Sequence, residues 1–208
     1  ENGGPTEAIS TAVDGIQVAK GWERTAQQMK EITLLRSLTN KEGQHDRATY
    51  QLHTGYIPSG SVKHPALGSN LAKELMSESL ELPSVVTIGG GRFANIGAGF
   101  LGVDFEPFQV NDPGGLPDNV GVASTKRRLG LLGRLDEEFA QRGGETVVEN
   151  HRRIYEKASK LVLSTQTEAF NLEQESSATR EAYGHTAFGN GCLLARRLAE
   201  RGVPFIEV

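Results

Sequence analysis

The sequence predicts an α/β fold with a mainly parallel sheet. Short apolar runs that are typical of strands alternate with longer segments of helical spacing, and glycine, proline and serine cluster between them. Because two parallel strands need a crossover connection, usually a helix, this alternation favours strands that run in one direction. With 208 residues, of which 37% are apolar, the chain can bury a full core without disulfides, so we expect a single domain over residues 1–208.

In the first part of the chain, the apolar pattern predicts three strands and three helices. The strands are expected at residues 15–18, 32–36 and 84–88, and the helices at residues 22–29, from His45 to about residue 55, and at 69–77. The second strand rests on the unbroken apolar run from Ile32 to Leu35, which is typical of a strand covered on both faces. We therefore expect residues 32–36 to be buried.

Residues 89–121 differ in character, because they are rich in glycine and proline and keep no regular period. This composition predicts a long ordered loop, of the kind that usually serves function or covers a site. Two glycine patterns within it, beginning at Gly89 and Gly97, match dinucleotide fingerprints, but neither opens the amphipathic helix on which a pyrophosphate binds. We therefore expect no nicotinamide or flavin cofactor.

The remaining elements are predicted as helices at residues 125–141, 145–164 and 188–201 and a strand at residues 204–208. The first two helices each carry an apolar face and are separated by Gly143 and Gly144, so we expect an antiparallel helical hairpin. Gly202 marks the end of the last helix before the closing strand.

The net charge, the cysteine count and the length of the apolar runs argue against several classes of protein. A net charge of −4 argues against a nucleic-acid or anionic-membrane surface. The single cysteine, Cys192, cannot form an internal disulfide framework or a site with several cysteine ligands. No run is long enough to span a membrane, and no signal peptide is recognisable. Because the sequence starts without methionine and stops within a predicted strand, we expect it to be part of a longer protein.

A histidine at the start of a predicted helix is the clearest candidate for chemistry. His45 follows the second predicted strand and a polar loop. We expect it near the carboxyl end of that strand, where ligands bind in open α/β sheets and where a helix presents free N–H groups to an anion. Arg36, Asn40 and Arg47 flank it as supporting candidates. Alternatively, residues 40–44 form an ordinary polar loop and His45 merely lies near a helix start.

The other four histidines fit structural roles. His53 is expected at a helix end, where the helix dipole favours a cation, and His64 precedes a proline in an exposed loop. His151 lies on an apolar face, and His185 lies in a loop. The sequence has no G-x-S-x-G, no G-x-x-x-x-G-K-[ST] and no H-E-x-x-H motif. The common hydrolase, nucleotide and zinc-protease signatures are therefore missing.

Five blocks of sequence carry a family resemblance over nearly the whole chain. They are LLRSLTNKEGQHDRATYQLHTGYIPSGS, HPALGSNLAKEL, LPSVVTIGG, GAGFLGVDFEPFQV and AYGHTAFGNGCLLARRLAERGVPFIEV. In this order they resemble the bacterial family known as domain of unknown function 1501. That family looks like a sulfatase-like branch of the alkaline-phosphatase superfamily, whose members are three-layer α/β/α hydrolases that use divalent metals. The resemblance implies that this chain is an incomplete central portion of such a domain.

The resemblance also bears on His45. The helix that ends in Leu52, His53, Thr54 and Gly55 is similar to the sulfatase helix that begins with the nucleophile, and counting back places His45 near that nucleophile. No cysteine or serine stands there, which argues against the formylglycine route. A histidine at this point could bind metal, act as acid or base, or accept a phosphoryl group.

The function implied by the resemblance is a metal-dependent hydrolase of phosphate or sulfate esters in the full-length protein. Its substrate would be a small-molecule or polysaccharide ester, and many similar proteins, from planctomycetes and related bacteria, are exported or periplasmic. The resemblance places most metal ligands outside residues 1–208, so we expect this portion alone to be inactive and to bind no divalent metal tightly. The alternative is a non-catalytic binding or scaffold protein that keeps the fold without the chemistry.

Overall fold

The computed structural model describes residues 4–77, 79–89, 96–112, 122–141 and 145–208. The chain divides into two compact units, Glu1–Lys41 and Glu42–Val208. Helices and parallel strands together give the second unit the predicted α/β character. Within the described parts of the chain, no helix combines the length and the apolarity needed to cross a membrane.

The first unit contains a hairpin followed by a short helix. Strands β1 (Ala8–Ser10) and β2 (Gln17–Ala19) pair antiparallel, and α1 (Glu23–Gln27) leads into a 3-10 turn at Met29–Glu31. The predicted strand at residues 15–18 and the helix at residues 22–29 are therefore close to the observed elements. Ala26 and Met29 are buried as the helical spacing predicts, whereas Trp22 is exposed.

The predicted buried strand at residues 32–36 is wrong. These residues are in no strand, and Leu34 and Leu35 are 45% and 76% exposed. An apolar run becomes a strand only where a neighbouring strand can accept its backbone hydrogen bonds. The described strands of the first unit pair only with each other, so this segment has no such neighbour within its unit.

A parallel three-stranded sheet forms the centre of the second unit. β3 (Val85–Ile88) lies between β4 (Phe108–Val110) and β5 (Phe205–Glu207) and runs parallel to both. All four residues of β3 are buried, as its continuous apolar sequence predicts for a central strand. β4 corrects part of the prediction of a loop over residues 89–121, since a strand as short as Phe-Gln-Val carries too little pattern to be recognised. Residues 90–95 and 113–121 of that predicted loop lie outside the described residues.

In the described part of the second unit, six helices surround this sheet or extend from it. They are α2 (His45–Thr54), α3 (Leu67–Leu75), α4 (Val122–Phe139), α5 (Glu145–Leu163), α6 (Ser177–Tyr183) and α7 (Ala187–Ala199). α4 and α5 pack against each other and form the predicted helical hairpin. α3 and α7 lie close to their predicted positions, whereas α6 and the 3-10 turns before it were not predicted.

Different helices pack on the two faces of the sheet. On one face, Val86 and Ile88 pack into the hydrophobic core with Leu194 and Leu198 of α7 and Leu161 of α5. Because side chains alternate along a strand, the two other side chains of β3 point to the opposite face, where α3 contacts β3 and β5. The sheet is thus covered by helices on both faces.

A buried arginine fixes the segment that precedes α6. Arg197 of α7 donates hydrogen bonds to the carbonyl oxygens of Glu168 and Ala169, each at 2.8 Å, and to the side chains of Gln174 and Glu175. Only 6% of its side chain is exposed. Since a buried charge must be paired, these acceptors hold α7 against the two 3-10 turns at Thr165–Phe170 and Leu172–Gln174.

Candidate functional site

The candidate site is a cavity of about 350 Å³ on the face of the sheet that α3 covers. Most of its lining is apolar: Leu52, Ala66, Leu67, Gly68, Val85, Ile96, Pro107, Phe205 and Ile206. Its polar side chains are His53, Thr87 and Glu207. A mainly apolar cavity with a few convergent polar groups is the usual form of a small-molecule site.

Strand register brings Thr87 and Glu207 together. Thr87 of β3 is the register partner of Glu207, the last residue of β5, so both side chains point to the same side of the sheet near its carboxyl edge. The carboxyl ends of parallel strands are where ligands bind in open α/β folds. The polar end of the cavity therefore lies where an α/β protein ordinarily holds its ligand.

A glycine allows α3 to approach the sheet at this point. A Cβ atom on Gly68 would overlap the ring of Phe205 in β5. With hydrogen there, the helix packs directly on the strand, and the Phe205 ring forms part of the cavity wall.

His53 comes to the cavity from the last turn of α2. The helix ends at Gly55, whose φ of 79° is the left-handed conformation typical of a helix C-cap. The Nδ1 atom of His53 lies 2.8 Å from the carbonyl oxygen of Thr49, and its Nε2 atom lies 2.7 Å from Oε1 of Glu207. α2 is thereby joined to the end of β5.

These two contacts require a protonated ring. A carbonyl oxygen and a carboxylate oxygen both accept hydrogen bonds, so both ring nitrogens of His53 must donate, which only the imidazolium form can do. Partial burial lowers the pKa of His53, but the hydrogen bonds to Glu207 and to the Thr49 carbonyl outweigh it and raise the pKa above its ordinary value. When His53 is protonated, it therefore forms an imidazolium–carboxylate pair with Glu207.

The pair can do two things chemically. It fixes α2 against the strand end, and it places an acidic N–H beside a carboxylate at the cavity. In this arrangement neither ring nitrogen offers a lone pair, so His53 can donate a proton but cannot accept one or ligate a metal until the contact with Glu207 or Thr49 opens.

His45 begins α2 as the sequence predicts, but the strand on which its placement depended is not formed. The side chain of His45 is exposed. His53 lies eight positions further along the chain, which corresponds to roughly 12 Å along the helix axis. His45 is not among the described residues that line the cavity, and a role in chemistry or metal binding stays a prediction.

The first turn of α2 already has internal partners. The side chain of Gln44 accepts a hydrogen bond from the backbone N–H of Arg47 at 2.8 Å, so Gln44 is the N-cap. The Arg47 guanidinium forms two hydrogen bonds to Glu42, at 2.7 and 2.9 Å, and holds the pKa of that carboxyl below its usual range. An anion at this turn would compete with Glu42 for Arg47.

Arg36 and Asn40 belong to the first unit, whereas His45 and Arg47 belong to the second. Both Arg36 and Asn40 are exposed. Of the four predicted site residues, His45 and Arg47 share a structural element, the first turn of α2.

The described residues do not form a metal site. Among the described residues, there is no group of three or more His, Cys, Asp or Glu side chains that could hold a metal ion. A divalent metal in a catalytic site needs about three protein ligands and an open position. The residues described therefore do not fit the divalent metal that the family resemblance implies.

Sequence reasoning missed both members of the ion pair. His53 was given only a favourable position at a helix end, and Glu207 was given no role. Two signals were present: Thr49 and His53 are four residues apart on one helix face, and Glu207 is an acid in the otherwise apolar run VPFIEV. An acid at the end of a predicted parallel strand marks the edge where ligands bind.

Comparisons with known proteins place the chain in a family. No curated protein and no solved structure matches it. A family model described as "Protein of unknown function (DUF1501)" matches residues 2–208, which is nearly the whole chain. The α/β chain with its cavity at the His53–Glu207 pair is therefore a member of the DUF1501 family.

Proposed function

We propose that the full-length protein is an exported, sulfatase-like hydrolase of phosphate or sulfate esters, and that the cavity beside His53 and Glu207 receives its substrate. One observation carries the proposal: a histidine in contact with a carboxylate lines a cavity at the carboxyl edge of a parallel sheet. The divalent metal that the sulfatase-like assignment implies would take its ligands from residues other than those described.

The architecture supports the proposal. A central parallel strand with helices on both faces is what a three-layer α/β/α hydrolase requires. The cavity has a mainly apolar wall and a polar end, which can orient an ester.

The ion pair has a defined part in such a reaction. His53 carries a proton on Nε2 at the cavity, and Glu207 holds the ring in place. When an ester bond breaks, the departing oxygen gains negative charge and needs a proton. As a nucleophile attacks the phosphorus or sulfur atom, His53 would release its Nε2–H from Glu207 and donate that proton to the departing oxygen, and Glu207 would position the ring until then.

The test uses the full-length protein with aryl-phosphate and aryl-sulfate substrates, in the presence of zinc, manganese or calcium. We expect metal-dependent turnover that falls about 100-fold or more in His53→Gln, because a positioned general acid contributes at least that factor. The matched control is His185→Gln, which removes an exposed histidine that contacts Glu181 at 3.0 Å on α6. That control should keep its rate within about twofold. Unchanged turnover in His53→Gln would show that the cavity is not the catalytic site.

The second candidate is a non-catalytic binding protein that keeps the fold. It is favoured by the engagement of both His53 nitrogens and by the lack of a metal-ligand group among the residues described. Under this proposal the cavity binds a small molecule without converting it. The same assay decides, since a full-length protein without turnover on either ester class under any of the three metals would favour this candidate.

A further inference from the structure

Three aromatic rings form an exposed cluster in the second unit, which we call the aromatic platform: Tyr56, His64 and Phe100. The rings of Tyr56 and His64 are stacked, with centroids 3.8 Å apart and planes within 5°. The ring of Phe100 meets His64 edge to face at 6.0 Å. The three rings thus touch in series, with His64 between the other two.

Two of the three rings of the platform, Tyr56 and Phe100, are exposed, and His64 is half-buried. Tyr56 is 55% exposed and Phe100 is 66% exposed. Since one face of Tyr56 packs on His64, its accessible area lies on the opposite face and the ring edge. Exposed aromatic rings that adjoin each other usually mark a binding site.

Backbone contacts hold the platform in place. The Tyr50 hydroxyl accepts a hydrogen bond from the His64 N–H at 2.7 Å, and the Phe100 N–H donates to the Lys63 carbonyl at 3.1 Å. Gly99 has a φ of 52°, and a Cβ atom there would overlap the backbone of Lys63. The two segments that carry the rings are therefore fixed against each other before any ligand arrives, which reduces the entropy cost of binding.

The platform borders the cavity. His64 precedes the cavity-lining Ala66 by two residues, so their Cα atoms are at most about 7.6 Å apart. Tyr56 follows His53 by three residues, just beyond the end of α2. The Ala66 N–H also donates to the Gly97 carbonyl, next to the cavity-lining Ile96. The platform is therefore close to the cavity along the chain, although none of its three rings is among the described residues that line the cavity.

We propose that the aromatic platform is a subsite for the sugar ring of a carbohydrate ester. The C–H face of a sugar ring packs on an aromatic face, while its hydroxyl groups stay in water, so an exposed and rigid pair of rings suits it. Ser59 and Ser61 are exposed in the segment between Tyr56 and His64. This inference rests on the proposed function, because it names the class of ester that the cavity would take.

A nucleotide fits the platform less well. Stacked bases also use aromatic rings, but their phosphates need several cations. Residues 56–67 contain a single lysine and no arginine, and the chain carries a net charge of −4. The charge around the platform therefore favours a sugar over a nucleotide.

The first experiment measures binding by NMR titration of the 208-residue chain, so that it does not depend on catalysis. The probes are cellobiose, lactose and chitobiose, with adenosine monophosphate as the nucleotide. We expect at least one disaccharide to bind, with a dissociation constant that rises about threefold to tenfold in Phe100→Leu and in Tyr56→Leu, which keep apolar bulk but lose the ring. The matched control is Phe188→Leu at a 68% exposed phenylalanine on α7, which should change binding less than about twofold.

Three results would overturn the subsite: no disaccharide perturbs the spectrum at its solubility limit, Phe100→Leu binds like the unsubstituted chain, or only adenosine monophosphate binds. The second experiment uses the full-length protein and separates this inference from the proposed function. Phe100→Leu should raise KM for a sugar ester by the same factor and leave turnover of methyl phosphate or methyl sulfate, which have no ring, unchanged. Sugar binding by a protein that hydrolyses no ester would reject the proposed function and leave the subsite in place.

Discussion

A single proton on His53 decides how the last turn of α2 is held to β5. With the proton, both ring nitrogens donate to oxygen atoms, one from Thr49 and one from Glu207. Without it, one nitrogen lone pair faces an oxygen lone pair, and the contact becomes repulsive. The same proton is the one that the proposed reaction would use.

We predict that His53 stabilises the fold more at low pH than at high pH. Its folded pKa is raised above the ordinary 6.5, so its contribution is fully present below the unfolded pKa and is lost as the pH rises through the folded pKa. In urea unfolding at pH 5.5, the chain should have a higher midpoint concentration than His53→Gln. This difference between the two midpoints should become smaller by pH 9. A gap that stays constant or widens toward pH 9 would contradict the imidazolium assignment. His185→Gln, which breaks an exposed pair, should show little gap at either pH.

Arg197 illustrates the cost of removing one partner from a buried charge pair. We predict that Arg197→Met destabilises the fold by about 3–5 kcal/mol, because Glu175 and two carbonyl oxygens lose their donor in a buried place. Its sequence neighbour is the control: Arg196 is 42% exposed and pairs with Glu200 on the helix surface, so Arg196→Met should cost less than about 1 kcal/mol. Equal losses of stability in the two variants would show that burial of Arg197 carries no particular weight.

At the scale of the elements, the close contact of α3 with β5 depends on Gly68, which has no side chain. Alanine normally stabilises a helix relative to glycine by about 1 kcal/mol. At Gly68 an added methyl group meets the Phe205 ring, so we predict that Gly68→Ala destabilises the fold by about 1–3 kcal/mol and pushes that ring into the cavity.

Gly130 of α4 is the matched control for this change, since a Cβ atom there meets nothing within 4 Å. Gly130→Ala should stabilise the fold by up to about 1 kcal/mol. Urea unfolding compares the two variants. If both glycine substitutions stabilise the fold equally, the close approach of α3 to β5 does not shape the cavity.

At the scale of the whole molecule, sequence patterns predict helices and strands more accurately than they predict the contacts between these elements. The central strand β3, the helical hairpin and the start of α2 at His45 each carry a long or continuous signal, and all three are observed. β4 was missed because three residues hold no usable period. Residues 32–36 were misjudged because an apolar run does not reveal whether a partner strand exists beside it.

The candidate site could not be predicted for a related reason. His53 and Glu207 are 154 positions apart, and only the folded sheet brings them within 2.7 Å. The sequence indicated that the carboxyl edge of a parallel sheet would hold the chemistry, and this is where the pair lies. The sequence predicts His45 as the site residue instead, because a histidine at a helix start can be recognised from neighbouring residues, whereas a long-range partner cannot.

The central claim is that His53 and Glu207 act as one unit at the substrate cavity, and a double-mutant cycle on ester hydrolysis by the full-length protein tests it most directly. The four proteins are the parent, His53→Gln, Glu207→Gln and the double variant, compared by kcat/KM. Groups that act together lose most of their effect with the first substitution, so we predict that the double variant is within about threefold of His53→Gln, itself about 100-fold or more below the parent. Losses that multiply in the double variant, or single variants as active as the parent, would contradict the account.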